Sequence, residues 1–180
     1  MKRHILTGTP GSGKTALLRA LEARGHPVVE EAATDVIALE QARGVDEPWR
    51  DPAFIDRIVA LQVQRRAGAT AALQFHDRSP VCTLALARWL GFPPPPRLQD
   101  ELARIAAGGT YERHVFFVRN LGRIENTAAR RISYEDALAF EALHEAVYRE
   151  LGYTLIDIPP APVEARAGDI ERYLRLAGGT

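Results

Sequence analysis

The chain has 180 residues, 46% of them hydrophobic and 26% charged, the balance of one soluble domain and not of a disordered or membrane protein. Lys plus Arg and Asp plus Glu stand at 23 each, so the overall charge offers no attraction to nucleic acid or an anionic membrane. The lone Cys82 excludes an intramolecular disulfide and a multi-cysteine zinc site, and fits a core thiol in a reducing compartment.

The opening "MKRHILTG" lacks the apolar stretch of a signal peptide, and no later run spans a bilayer, so the sequence predicts a cytoplasmic protein. "HILTGTPGSGKTALLRALEARG" predicts a short strand, a glycine-rich turn and a helix with Ala16, Leu17, Ala20 and Leu21 on one face, ended by Gly25. "HPVVEEA" predicts a second strand, and "TDVIALEQARG" a helix capped by Thr34 or Asp35. Asp51 as N-cap and Pro52 at the first helical position open a long helix with Phe54, Ile58, Leu61 and Arg65 at helical spacing.

"AALQFHD" predicts the third strand, followed by a Ser-capped, Pro-started, Gly-ended helix, "SPVCTLALARWLG". Pro93 to Pro96 form a stiff connector that no helix traverses. "RLQDELARIAAGG" predicts a helix, "RHVFFV" a fourth strand, Ser133 the cap of the next helix, "YTLIDIP" a fifth strand, and "VEARAGDIERYLRLA" the last helix. Strands alternating with helices over the whole length imply an α/β fold with a parallel sheet covered on both faces, one domain over residues 1–180.

Gly8, Thr9, Pro10, Gly11, Ser12, Gly13, Lys14 and Thr15 match G-x-x-x-x-G-K-[ST] between a strand and a helix. Small residues let backbone N–H groups wrap a phosphate chain, the helix N-terminus adds its positive end, Lys14 reaches the outer phosphates, and Thr15 offers a hydroxyl to Mg²⁺. The plainer alternative, a glycine turn with a chance lysine, is disfavoured because motif and context agree.

The third strand stops on a charge, Asp77, which at the mouth of a buried strand requires a compensating cation. Parallel strands bring their carboxyl ends to one edge, so Asp77 comes out near the glycine-rich turn, and Mg²⁺ held by Thr15 and Asp77 is one answer. Asp77 as a helix cap or as partner of Arg78 is the other. Four arginines, Arg119, Arg123, Arg130 and Arg131, crowd the stretch before Ser133, where they face either solvent or an anion. The five histidines show no paired metal spacing, so no zinc site is expected, and His76 packs or hydrogen-bonds in place.

"GTPGSGKT", "VVEEA", "FHDRSP", "RRISYEDA" and "YRELGYTLIDIP" together resemble the AAA_28-type P-loop ATPases and kinases. That group is similar to the ribosylnicotinamide-kinase domain and, more distantly, to nucleoside and nucleotide kinases. The resemblance implies a P-loop NTPase three-layer sandwich: a five-stranded parallel sheet in kinase-type order, with the Asp77 strand directly beside the one leading to Gly8. It implies that Glu31, or Glu30, faces an acceptor hydroxyl as the catalytic carboxylate, and that Arg78 reaches toward substrate or phosphate. It makes residues of about 119–133 a lid, with Arg130 and Arg131 closing on the transferring phosphoryl group and Arg119 on the nucleotide. For Glu31 a solvated pair at a strand end, for Arg78 a structural salt bridge, and for the lid a solvated basic loop are the plainer readings. The tail of the fifth strand is expected near the adenine.

Two functions follow. The first is an ATP-dependent kinase moving the γ-phosphoryl of Mg-ATP to a hydroxyl of a small-molecule acceptor, with nucleoside-like compounds among the candidates. The second is an ATPase or nucleotide-dependent switch acting on a protein partner. The compact chain, with its acidic residue after the second strand, Asp-Arg pair and arginine-rich stretch, favours the kinase. Trp49, Phe54 and Arg57 are candidates for lining the acceptor pocket or for core.

Overall fold

β1 (Lys2–Thr7) is buried on both faces from His4 to Thr7, the requirement on a central strand of a parallel sheet. In the computed structural model, which describes residues 1–9, 11–122 and 133–178, it is flanked by β3 (Leu73–Asp77) and β4 (His114–Val118). β2 (Val28–Val29) and β5 (Thr154–Ile158) form the edges, giving the order β2-β3-β1-β4-β5, all parallel. The Asp77 strand therefore lies beside the strand that leads to Gly8, and the register pairs Leu6 with Asp77.

Alternation along the strands sends side chains to two cores. On one face Leu6, Phe75, Phe116 and Val118 meet α1 (Lys14–Ala23) and α7 (Val163–Gly178). On the other, Ile5 and Val115 meet α2 (Ala32–Ala42), α3 (Ala53–Gly68), α4 (Pro80–Trp89), α5 (Pro96–Gly108) and α6 (Tyr134–Glu150). Each fully buried Leu, Ile or Phe contributes about 1.5–3 kcal/mol, which makes this two-sided packing the main source of stability. The three-layer α/β sandwich is the architecture expected from the sequence. Among the described residues no helix is long and apolar enough to cross a membrane.

Local chemistry sets most helix ends. Ser79 accepts from Val81 N and Ser133 from Asp136 N, each as a cap, with Pro80 at the first helical position of α4. Asp51 accepts from Ala53 N at 2.9 Å, so it caps α3 although the regular helix starts after Pro52. α2 departs from expectation: it begins at Ala32, with extended Glu31 in the cap position, and the Thr34 hydroxyl donates to Glu31 Oε2 at 2.9 Å from inside the helix. The buried stripe of α1 is Leu17, Leu18 and Leu21, in the core that α1 shares with α7, leaving Ala16 exposed. Phe54 is core, Trp49 packs against it, and Arg57 pairs with Asp51 and Glu40.

Candidate active site

β1 delivers the chain into the glycine-rich turn, where three backbone positions favour glycine. Gly8 (φ 147°), Gly11 (φ 83°) and Gly13 (φ 71°) all have positive φ, and a Cβ on Gly8 would lie 2.4 Å from the Val118 carbonyl oxygen. The carbonyls of the turn are tied down both from within the loop and from outside it. Ser12 N donates to Thr9 O, Leu121 N to Gly11 O, Leu17 N to Gly13 O, and Arg166 Nη1 to Ser12 O at 2.8 Å. At the mouth of α1 the first amides have no intrahelical acceptor, and the buried Ser12 hydroxyl has no partner. A cradle of amides, glycines too tight for a Cβ and an unpaired hydroxyl fits a phosphate chain. Pro10 lies outside the described residues.

The cation beside Asp77 in this structure is Lys14. Their side chains approach to 2.8 Å (Nζ to Oδ1) and are 4% and 8% exposed. One residue on, Arg78 adopts φ 70°, the single positive value of a non-glycine among the described residues. An arginine in this region is strained, a feature concentrated at functional sites. The turn is fixed by Arg78 N donating to Leu6 O, and it aims the guanidinium at Glu31, with Nε 2.6 Å from Oε1 and both side chains mostly buried. Burial acts to lower the pKa of Arg78, but Glu31, Cys82 and Asp77 together hold it above its ordinary value.

His144 of α6 closes the back of this pair. Its Nδ1 bonds the Phe140 carbonyl at 2.9 Å, which assigns the proton to Nδ1 and leaves Nε2 to accept from Arg78 Nη1 at 3.4 Å. Burial first, and the Arg78 charge second, push His144 down to about 3. Behind it the Tyr148 hydroxyl meets Ser79 Oγ and Cys82 Sγ, and Cys82 also meets Thr7 Oγ1, so the thiol is a buried polar contact as well as packing.

Arg119 stands at the end of β4, over the Phe117 ring, 4.5 Å from its centroid. It bonds Glu141, Glu145 and Asp157, and Glu141 also accepts from Thr9 Oγ1 at 3.2 Å, linking α6 to the turn. Arg119 is thus engaged by three carboxylates on the opposite side of the turn from Glu31. Arg123, Arg130 and Arg131 lie outside the described residues.

A cleft of about 340 Å³ opens at the carboxyl edge of β2 and β3. Thr15, Asp77, Glu30, Glu31, Thr34 and Asp35 line it, so the structure brings both predicted metal ligands and the predicted base to one cavity. Trp49, Phe54 and Arg57 do not line it. Among the described residues no group of three or more His, Cys, Asp or Glu forms a metal cage. Mg²⁺ on a nucleotide needs only one or two protein ligands besides phosphate and water, and a hydroxyl with a carboxylate fits it. Sequence reading missed Glu141, His144 and Arg166, which come from helices far along the chain and carry no local signal.

Three solved structures share the fold. NadR in complex with NAD and AMP-PNP is 18% identical with a TM-score of 0.69, matching 98% of this chain, which spans about half of that one (49%). Deoxyadenosine kinase from M. mycoides with products dCMP and a flexible dCDP is 10% identical, TM-score 0.63, covering 97% of this chain and 99% of its own. Shikimate kinase from Acinetobacter baumannii in complex with shikimate is 15% identical, TM-score 0.58, covering 98% and 94%. No curated protein sequence matches. Residues 3–166 match the family model AAA_28, described as an AAA domain, and the chain belongs to that family.

Proposed function

We propose that the protein is a P-loop kinase that transfers the γ-phosphoryl of Mg-ATP to a hydroxyl of a small molecule. The observation that carries this reading is the cleft that places Glu31 on the same cavity as Thr15 and Asp77. Likeness to NadR bound to AMP-PNP and to a deoxyadenosine kinase supports ATP as donor and a nucleoside-like acceptor.

In this reading Lys14 turns from Asp77 to the outer phosphates, and the amides of the turn hold the chain in line for attack. Mg²⁺, where bound, neutralises phosphate charge, and Thr15 with Asp77 would hold it. Glu31, held in place by Arg78, accepts the proton of the acceptor hydroxyl as its oxygen attacks phosphorus. The new O–P bond forms, the bond to the β-phosphate oxygen breaks, and ADP leaves. His144 takes no proton in this scheme because it remains neutral, and it only orients Arg78.

The wall of the cleft adds a preference. Among the described residues its lining carries five carboxylates, Glu22, Glu30, Glu31, Asp35 and Asp77, and one cation, Arg19. Lys14, Arg78 and Arg65 offset Asp77, Glu31 and Asp35 from behind, and Glu22 and Glu30 have no ion pair among the described residues. Such a wall favours a neutral or cationic alcohol over a phosphomonoester. The test is ADP release from Mg-ATP across an acceptor library, with products identified by mass spectrometry. Acceptor-dependent release with a phosphorylated product is expected, while vigorous hydrolysis without any acceptor would move the assignment to an ATPase acting on a protein partner.

A further inference from the structure

Arg166 differs from the other buried or half-buried cations described around the glycine-rich turn. Lys14 has Asp77, Arg78 has Glu31, and Arg119 has three carboxylates, but Arg166 has no carboxylate at ion-pair distance among the described residues. It is 3% exposed, and among the described residues its Nε has no partner and its one side-chain hydrogen bond is from Nη1 to the Ser12 carbonyl. Burial alone lowers its pKa, with no neighbouring carboxylate acting in the other direction. An unpaired charge in that setting is costly, so a protein that keeps one there has a use for it.

The place of that charge is specific. The Ser12 carbonyl and the Gly13 N–H belong to one peptide unit, so a guanidinium on the carbonyl polarises the amide on the opposite side of the same group. A Cβ on Gly13 would lie 2.9 Å from Arg166 Nη2 and 3.2 Å from Leu121 Cδ1, which shows that the guanidinium is pressed against this peptide. Gly13 is also the cap of α1, where the helix dipole already favours an anion.

We propose that Arg166 is a positioning residue of the phosphate cradle, whose charge acts through the Ser12–Gly13 peptide and has the bound phosphate chain as its counter-anion. The inference rests on the kinase reading only in taking the turn as a nucleotide site. It assigns to α7, the last helix of the chain, a part in binding the donor.

Calorimetry with Mg-ADP and with inorganic tripolyphosphate on the full chain tests it. Arg166→Met and Arg166→Gln each bind both ligands about tenfold more weakly, the scale of one charge-assisted contact, while Arg166→Lys stays within about threefold of wild type. The loss falls equally on tripolyphosphate, which a general loosening of the adenine side would spare. Should Arg166→Met fail to fold, Arg166→Gln, which retains a donor for the Ser12 carbonyl, carries the comparison. Either neutral variant binding tripolyphosphate as tightly as wild type, while Lys14→Ala loses it, overturns the proposal and leaves the nucleotide site standing. Arg166→Lys as weak as Arg166→Gln overturns it too, because shape and not charge would then be at work. Wild-type binding by Lys14→Ala as well would overturn the nucleotide site itself.

Discussion

Lys14 Nζ lies 2.8 Å from Asp77 Oδ1, and the two residues come from neighbouring elements at the carboxyl edge of the sheet. Each neutralises the other, and a nucleotide that engages Lys14 must exchange this contact for new ones. Removing one partner leaves a buried charge uncompensated, which costs roughly 3–5 kcal/mol. Lys14→Met and Asp77→Asn should therefore each lower the urea midpoint, with the double variant losing clearly less than their sum. Strict additivity in that cycle would show that the pair is not coupled.

Asp77 has a second duty if it holds the metal. Asp77→Asn should reduce turnover by about tenfold or more while the protein still binds ADP in the absence of Mg²⁺. Turnover at the wild-type rate would leave Asp77 with the lysine pairing alone.

Glu31→Gln keeps the size of the side chain and removes the base. Turnover should fall by about 10²–10⁴, the usual contribution of a positioned general base, with little change in ADP affinity. If the rate is unaffected when measured on the best acceptor from the library, Glu31 serves only to hold Arg78.

Acid should destabilise the fold most strongly through two of its buried histidines, with the pKa of His4 also lowered by burial. Burial, followed by the Arg78 charge, depresses His144 to about 3, and burial, followed by Arg3 and Arg66, depresses His76 to about 4. The unfolded chain takes these protons near 6.5 and the folded chain does not. Stability is thus full above that value and declines as pH falls from there toward about 4, by about 1.4 kcal/mol per pH unit for each histidine. His144→Gln, which keeps an acceptor for Arg78, should flatten the fall in unfolding free energy by one such increment, and an unchanged slope would mean that His144 titrates normally.

The acceptor cleft makes a chemical prediction. Neutral and cationic alcohols should appear as phosphorylated products by mass spectrometry, and nucleoside monophosphates should not, because among the described residues Glu22 and Glu30 line the cleft without an ion pair and Arg19 is the one cation beside them. A phosphomonoester as the best acceptor would refute this preference.

Five strands and the glycine turn were legible in the sequence because their determinants are local: short apolar runs, positive-φ glycines, and caps such as Ser79 and Ser133. Asp77 was legible as a charge in need of a cation, but Lys14 as that cation depends on the pairing of β1 with β3, which no local pattern prints. Arg119 illustrates the same limit. Its guanidinium suits phosphate, yet carboxylates from α6 and β5, at least 22 positions away, already surround it. The N-terminus of α2 was misplaced because Thr34 and Asp35 are better capping types than Glu31, while the extended backbone at Glu31 sets the helix start.

Arg65, near the end of α3, donates to the backbone carbonyls of both Glu30 and Glu31 and pairs with Asp35. One side chain thus fastens the segment that carries the candidate base, and the helix behind it, to a 16-residue lever. If α3 swings when an acceptor enters, Glu31 must travel with it, so closure of the cavity and delivery of the base become a single movement instead of two. An enzyme built this way would misfire on water less often, since a half-closed cavity would also be one whose proton acceptor had not arrived.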